Sequence, residues 1–177
     1  MPLLRSAALA ATCLLFAYSA VGFAKTIKGG SRADILEGTN KADTILGKGG
    51  DDRVFGGDGS DKIKVGPGRD LVQAEDGGDN VKGGGGDDAL STGPGNDVLS
   101  GGGGHDEMTG DDGNDRVIGG DGFDDLEGGD GSDVIMAAGD GGVADEVQCG
   151  TGNGRATVDA ADIARVPEDC EQLIRAP

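Results

Sequence analysis

The chain has 177 residues, a formal net charge of -18 and a mean hydropathy of -0.31. Aromatics make up 3% of it, Trp is absent and glycine supplies 38 positions, so large side chains are too few to build the core of an ordinary globule. The excess of 33 acidic over 15 basic residues repels itself in any compact state and gives no clustered Lys and Arg for phosphate binding, which excludes nucleic acid as a partner.

Residues 1–24 read as a secretory signal peptide. Arg5 precedes an apolar run from Ala7 to Ala20, and Gly22-Phe23-Ala24 places small residues where a secretion peptidase reads, so cleavage is expected before Lys25. An uncleaved anchor is the alternative, but the run is short for a membrane span and none is expected to remain in the mature chain. Residues 25–28 form a short lead-in. Once Cys13 has left with the signal, Cys149 and Cys170 remain, and an exported chain with two cysteines is expected to pair them, two unrelated free thiols being the alternative.

From residue 29 to 136 the chain is periodic. Aspartate stands at every ninth position: Asp34, Asp43, Asp52, Asp61, Asp70, Asp79, Asp88, Asp97, Asp106, Asp115, Asp124 and Asp133. Two residues after each comes an aliphatic side chain: Leu36, Ile45, Val54, Ile63, Val72, Val81, Leu90, Leu99, Met108, Val117, Leu126 and Ile135. Two residues before ten of them stands glycine, at Gly50, Gly59, Gly68, Gly77, Gly86, Gly95, Gly104, Gly113, Gly122 and Gly131, and Gly57, Gly120 and Gly129 add a second turn glycine. A fixed period of this kind predicts a stacked solenoid. Six Gly-rich residues read as a turn and three as a strand whose middle residue faces inward. If successive strands fall on opposite walls, one coil takes two repeats. The aspartates then form two rows, one of Asp34, Asp52, Asp70, Asp88, Asp106 and Asp124, the other of Asp43, Asp61, Asp79, Asp97, Asp115 and Asp133.

Stacked carboxylates repel, and the thin aliphatic interior is a weak offset, so the coil needs a cation. Turn carbonyls and aspartates from two adjacent coils offer the all-oxygen cage that Ca²⁺ accepts and Mg²⁺, with its tight octahedron, does not. The units Gly56-Gly57-Asp58-Gly59-Ser60-Asp61-Lys62-Ile63-Lys64 and Gly119-Gly120-Asp121-Gly122-Phe123-Asp124-Asp125-Leu126-Glu127 resemble the G-G-x-G-x-D-x-U-x nonapeptide of RTX (haemolysin-type) calcium-binding repeats. The resemblance implies an all-β parallel β-roll of about twelve repeats, with Ca²⁺ held between adjacent turns by repeat aspartates and turn carbonyls. Arg32 and Lys41 interrupt the first two turns, leaving roughly eight complete gaps and hence roughly eight ions. Val65, Ala74 and Thr92 replace the first turn glycine, and Glu75 and Asp111 the second.

Beyond Ile135 the register breaks: Gly142 and Gly154 stand where aspartate is due, and Asp145 resumes the pattern after three extra residues. Residues 137–177 resemble the cysteine-bearing tail of small secreted bacterial RTX proteins and are expected to cap the open end, stapled by a Cys149–Cys170 bridge. Asp58, Asp76, Asp112, Asp121 and Asp130, at the third turn position, are read as solvated turn formers, with an accessory ligand role as the alternative. His105 is the one histidine and is read as solvated; there is no H-E-x-x-H, G-x-S-x-G or phosphate loop, so no enzyme is expected. The expectation is a secreted, monomeric, non-enzymatic calcium binder. The alternative is an adhesin that uses the rod as a scaffold for a cell-surface or matrix partner.

Overall fold

The computed structural model describes residues 23–137, 143–159, 161–162 and 170–176, so the signal segment up to residue 22 lies outside the described residues. The chain winds as a flattened parallel β-solenoid. One wall is a nine-stranded parallel sheet of Thr26–Lys28, Thr44–Leu46, Lys62–Pro67, Asn80–Gly85, Val98–Gly103, Arg116–Asp121, Val134–Met136, Arg155–Val158 and Gln172–Arg175. The facing wall has seven strands: Ile35–Glu37, Arg53–Phe55, Leu71–Gln73, Ala89–Ser91, Glu107–Thr109, Asp125–Glu127 and Glu146–Gln148. A short ladder of Asp112–Gly113, Asp130–Gly131 and Thr151–Gly152 runs along an edge.

Register follows the repeat. Ile45 lies beside Ile63, Ile63 beside Val81 and Val81 beside Leu99, while Leu36 lies beside Val54 and Val54 beside Val72 on the other wall. One coil is therefore two nonapeptides, as the spacing predicts. Strand alternation turns the middle residue of each strand inward, and all twelve members of the aliphatic column are buried, Leu36 at the first coil being the least so at 7% exposure.

Two features differ from the simplest reading of the repeat. Four strands of the first wall run for six residues because the glycine turns also pair from coil to coil, as in Gly66 beside Gly84 and Gly84 beside Gly102. The first turn position also faces inward: where glycine is replaced there, by Val65, Ala74 and Thr92, the side chain is fully buried and widens the interior.

The roll also outruns the twelve repeats at both ends. Thr26–Lys28 already pairs with Thr44–Leu46, so the lead-in is the first strand of a wall. After the extra residues Leu126 pairs with Val147 and Ile135 with Ala156, and the coil continues to Gln172–Arg175, where Leu173 and Ile174 are 42% and 44% exposed. Among the described residues no helix is long and apolar enough to cross a membrane.

Candidate metal centre

Coil stacking brings the predicted aspartates into two continuous ladders. The backbone N–H of each aspartate donates to Oδ1 of the aspartate one coil on, at 2.6 to 3.0 Å from Asp34 through to Asp133 and on to Asp145 and Asp162. Asp145 and Asp162 thus extend the first row by steps of 21 and 17 residues, and the shortened second step hid Asp162 from the sequence. Every row member from Asp43 onward is buried at 3% exposure or less.

One carboxylate oxygen is used by this ladder and the other is not. In Asp52, Asp61, Asp70, Asp79, Asp88, Asp97, Asp106, Asp115 and Asp133, Oδ2 is buried with no hydrogen-bond partner. Thr92 lies close enough to Asp97 to stabilise its charge, but its one hydroxyl hydrogen goes to the Gly110 carbonyl at 3.0 Å. A buried, unpartnered carboxylate oxygen costs several kcal/mol unless a cation meets it. Burial pushes the carboxyls of Asp79 and Asp88 up to about 7 and those of Asp61, Asp106 and Asp115 up to about 6, from an ordinary 3.8. The ladder N–H pulls each of these back, and neighbouring aspartates push them further up. Asp52, Asp70, Asp97 and Asp133 are raised by the same burial.

In the turns that end at Asp52, Asp61, Asp88, Asp106, Asp115 and Asp133 the unpartnered oxygen points at the first turn glycine; in those that end at Asp70, Asp79 and Asp97 that position is held by Val65, Ala74 and Thr92. A methyl group built on Gly128 would stand 2.7 Å from both Asp133 Oδ2 and the Cys149 carbonyl oxygen; one on Gly110 would stand 2.8 Å from Asp115 Oδ2 and 2.5 Å from the Gly128 carbonyl oxygen. At Gly47, Gly83 and Gly101 it would overlap Oδ2 of Asp52, Asp88 and Asp106. A carboxylate oxygen and a carbonyl of the next coil therefore converge on a spot that a side chain would fill. Among the described residues no three His, Cys, Asp or Glu side chains gather at one point, so such a spot is furnished by few carboxylates and by backbone oxygen.

Residues 28–63, 55–90, 64–99, 73–108, 82–117 and 109–143 each match the profile of the RTX calcium-binding nonapeptide repeat, and together they span well over half of the chain. The chain belongs to that family. No curated protein matches it. RTX repeats bind Ca²⁺, and the site in this RTX chain fits the ion: hard oxygen donors only, buried charge without a partner, and glycine where a Cβ would intrude.

The remaining predicted positions divide clearly. At Gly57, Gly120 and Gly129 φ is 93°, 130° and 104°, and Lys48, Glu75 and Asp111 hold the same left-handed turn position at 86°, 72° and 64°. Lys48 joins the two substitutions the sequence singled out. Gly50, Gly59, Gly68, Gly86, Gly104, Gly113, Gly122 and Gly131 also have positive φ, but Gly77 and Gly95 do not. There a Cβ would collide with the carbonyls of Gly59 and Gly77, so glycine at this position serves close stacking of coils. Asp34 and Asp43 differ from the later aspartates: their Oδ2 atoms accept N–H of Gly30 at 2.5 Å and of Thr39 at 2.7 Å within their own turns. Asp58, Asp76, Asp112, Asp121 and Asp130 are exposed. His105 is exposed and packs edge-on against Phe123 with ring centroids 4.8 Å apart. Cys149 and Cys170 form a disulfide with Cα atoms 5.1 Å apart.

Proposed function

We propose that this chain is a secreted, non-enzymatic protein that folds as it binds several Ca²⁺ ions between stacked turns. The observation that carries the reading is the set of buried Oδ2 atoms without partners, which begins at Asp52 and Asp61. That start coincides with the boundary set by Arg32 and Lys41, and it leaves roughly eight gaps between successive aspartates of the two rows. The ligands are assigned to Asp52, Asp70, Asp88, Asp106 and Asp124 in one row and Asp61, Asp79, Asp97, Asp115 and Asp133 in the other, with turn carbonyls completing each shell. Asp34 and Asp43 close on their own turns and are assigned to the end of the roll rather than to an ion.

Export is supported by the composition of residues 1–24 and by the disulfide, which belongs in an oxidising compartment. Ion binding then supplies folding free energy where calcium is abundant and none where it is scarce. One calcium titration of the mature chain, followed by calorimetry and circular dichroism together, tests the reading. The expected result is a chain without β-signal in EDTA that orders cooperatively at roughly eight ions per chain. An unchanged spectrum and melting temperature in EDTA would overturn it.

A further inference from the structure

The two walls carry opposite charge. On the outer face of the nine-stranded wall stand Lys28, Lys62, Lys64, Lys82, Arg116 and Arg155, all exposed, and the one acid in its strands is Asp121. On the outer face of the seven-stranded wall stand Glu37, Glu107, Asp125, Glu127 and Glu146 against a single basic residue, Arg53. Each wall is also graded along its length. The lysines fill the early strands of the first wall, and Val98, Ile118, Val134 and Met136 its later ones together with Arg116 and Arg155; on the second wall Ile35, Phe55 and Leu71 come early and most of the acids late. Ile35 and Leu71 are 64% and 40% exposed.

We infer that the nine-stranded wall of one copy docks on the seven-stranded wall of a second copy, with the two coils running in opposite directions. That orientation alone lays the lysine half on the acidic half and apolar half on apolar half. A parallel stacking would set lysines against Ile35, Phe55 and Leu71 and leave the late acids only Arg116 and Arg155 as partners. Because each copy uses two different faces, the contact is heterologous and does not close, so it extends into a stack.

The docking is gated by the ions and in this rests on the proposed function. The full chain's net charge of -18, one unit more negative once Arg5 leaves with the signal, opposes association, whereas roughly eight Ca²⁺ ions bring the mature chain to about -3 and leave the face-to-face complementarity as the dominant field. Seven three-residue strands at about 4.8 Å, each roughly 10 Å long, offer on the order of 350 Å² per copy, well below the ~800 Å² of a standard stable interface. The stack is therefore reversible and shortened by salt.

Sedimentation of the mature chain at low salt with saturating Ca²⁺ tests this, with circular dichroism of the same samples as the folding control. The weight-average mass is expected to rise at least about twofold with concentration and to fall back in high salt. A variant with Lys62→Glu, Lys64→Glu and Lys82→Glu, and a second with Glu107→Lys, Glu127→Lys and Glu146→Lys, should each sediment as monomers, and an equimolar mixture of the two should recover the association because opposite faces again meet. A chain that folds with calcium yet stays monomeric at every concentration overturns the docking while leaving calcium-dependent folding intact. Assembly that persists in both reversed variants places the contact at the exposed end strand Gln172–Arg175 and overturns it as well.

Discussion

The coils from Gly47 to Asp133 and the two ends of the roll are built on one nonapeptide frame but close it differently. In the middle, Oδ1 of each row aspartate accepts an N–H from the neighbouring coil, and Oδ2 of Asp52, Asp61, Asp70, Asp79, Asp88, Asp97, Asp106, Asp115 and Asp133 is buried and unpartnered. At the start, Asp34 and Asp43 turn Oδ2 back onto their own turns. At the far end Asp162 does the same, accepting the Asp159 N–H at 2.8 Å, and in the second row Gly154 replaces the aspartate altogether. A Cβ at Gly154 would stand 2.7 Å from Cys149 Cβ, so the row stops where the disulfide takes its space. The middle is completed by something from outside the chain, while the ends complete themselves with backbone N–H groups and a covalent bond.

Removing each kind of closure separately should expose this division. In EDTA, amide hydrogen exchange of residues 47–136 is expected to accelerate by at least about a hundredfold, because the ions stabilise the native coil alone. Equal protection with and without the chelator across those residues would erase the distinction between middle and ends.

Acid should act next most strongly, with opposite sign in the two ionic states. Without ions, carboxyls raised to about 6 or 7 contribute stability that is full below their ordinary 3.8 and is lost as pH rises through the folded values. The ion-free chain should therefore gain β-signal as pH falls from about 7.5 to about 5. With Ca²⁺ present, protons compete for the same oxygens, and the calcium midpoint should move to higher concentration over that range. Shifts of one sign in both states would break the account.

Much of this organisation was legible in the residues themselves. The nine-residue spacing carried the coil length, the two rows and the inward column, because a repeat that stacks on itself turns sequence period directly into register. What escaped it depends on three-dimensional proximity. Asp162 was hidden by the shifted step between coils, and the division of Oδ1 from Oδ2 is set by which N–H lies one coil away. The need for Gly77 and Gly95 comes from a neighbouring carbonyl rather than from φ. The opposite signs of the walls appear only when alternate strands are sorted onto their sheets, since along the chain the lysines and glutamates read as a mixed polar background.

Breaking the covalent closure should have a smaller and local effect. With calcium present, Cys149→Ser should cost about 3 kcal/mol for a bridge that closes a loop of this length. Exchange should accelerate in residues 145–158 and 170–176 while residues 47–136 keep their protection. Loss of protection along the whole roll would mean that the disulfide end nucleates the structure and that the division is one of order rather than of region.

The finest version of the comparison lies within a single turn. Gly101 and Gly103 both have ordinary φ, so neither is needed for backbone conformation. A Cβ on Gly101 would fill the spot shared by Asp106 Oδ2 and the Gly119 carbonyl, whereas on Gly103 its nearest neighbour is Asp121 Cβ at 3.9 Å. Gly101→Ala should cost about 1–3 kcal/mol and weaken calcium binding at that turn, as Ala74 is expected to do at the turn of Asp79, while Gly103→Ala should stay within about 0.5 kcal/mol and leave calcium affinity unchanged. Calorimetric titration of the pair reads both quantities. Equal calcium affinity in the two variants would move the ion away from the first turn glycine, and with it the reason that the unpartnered oxygens face that way.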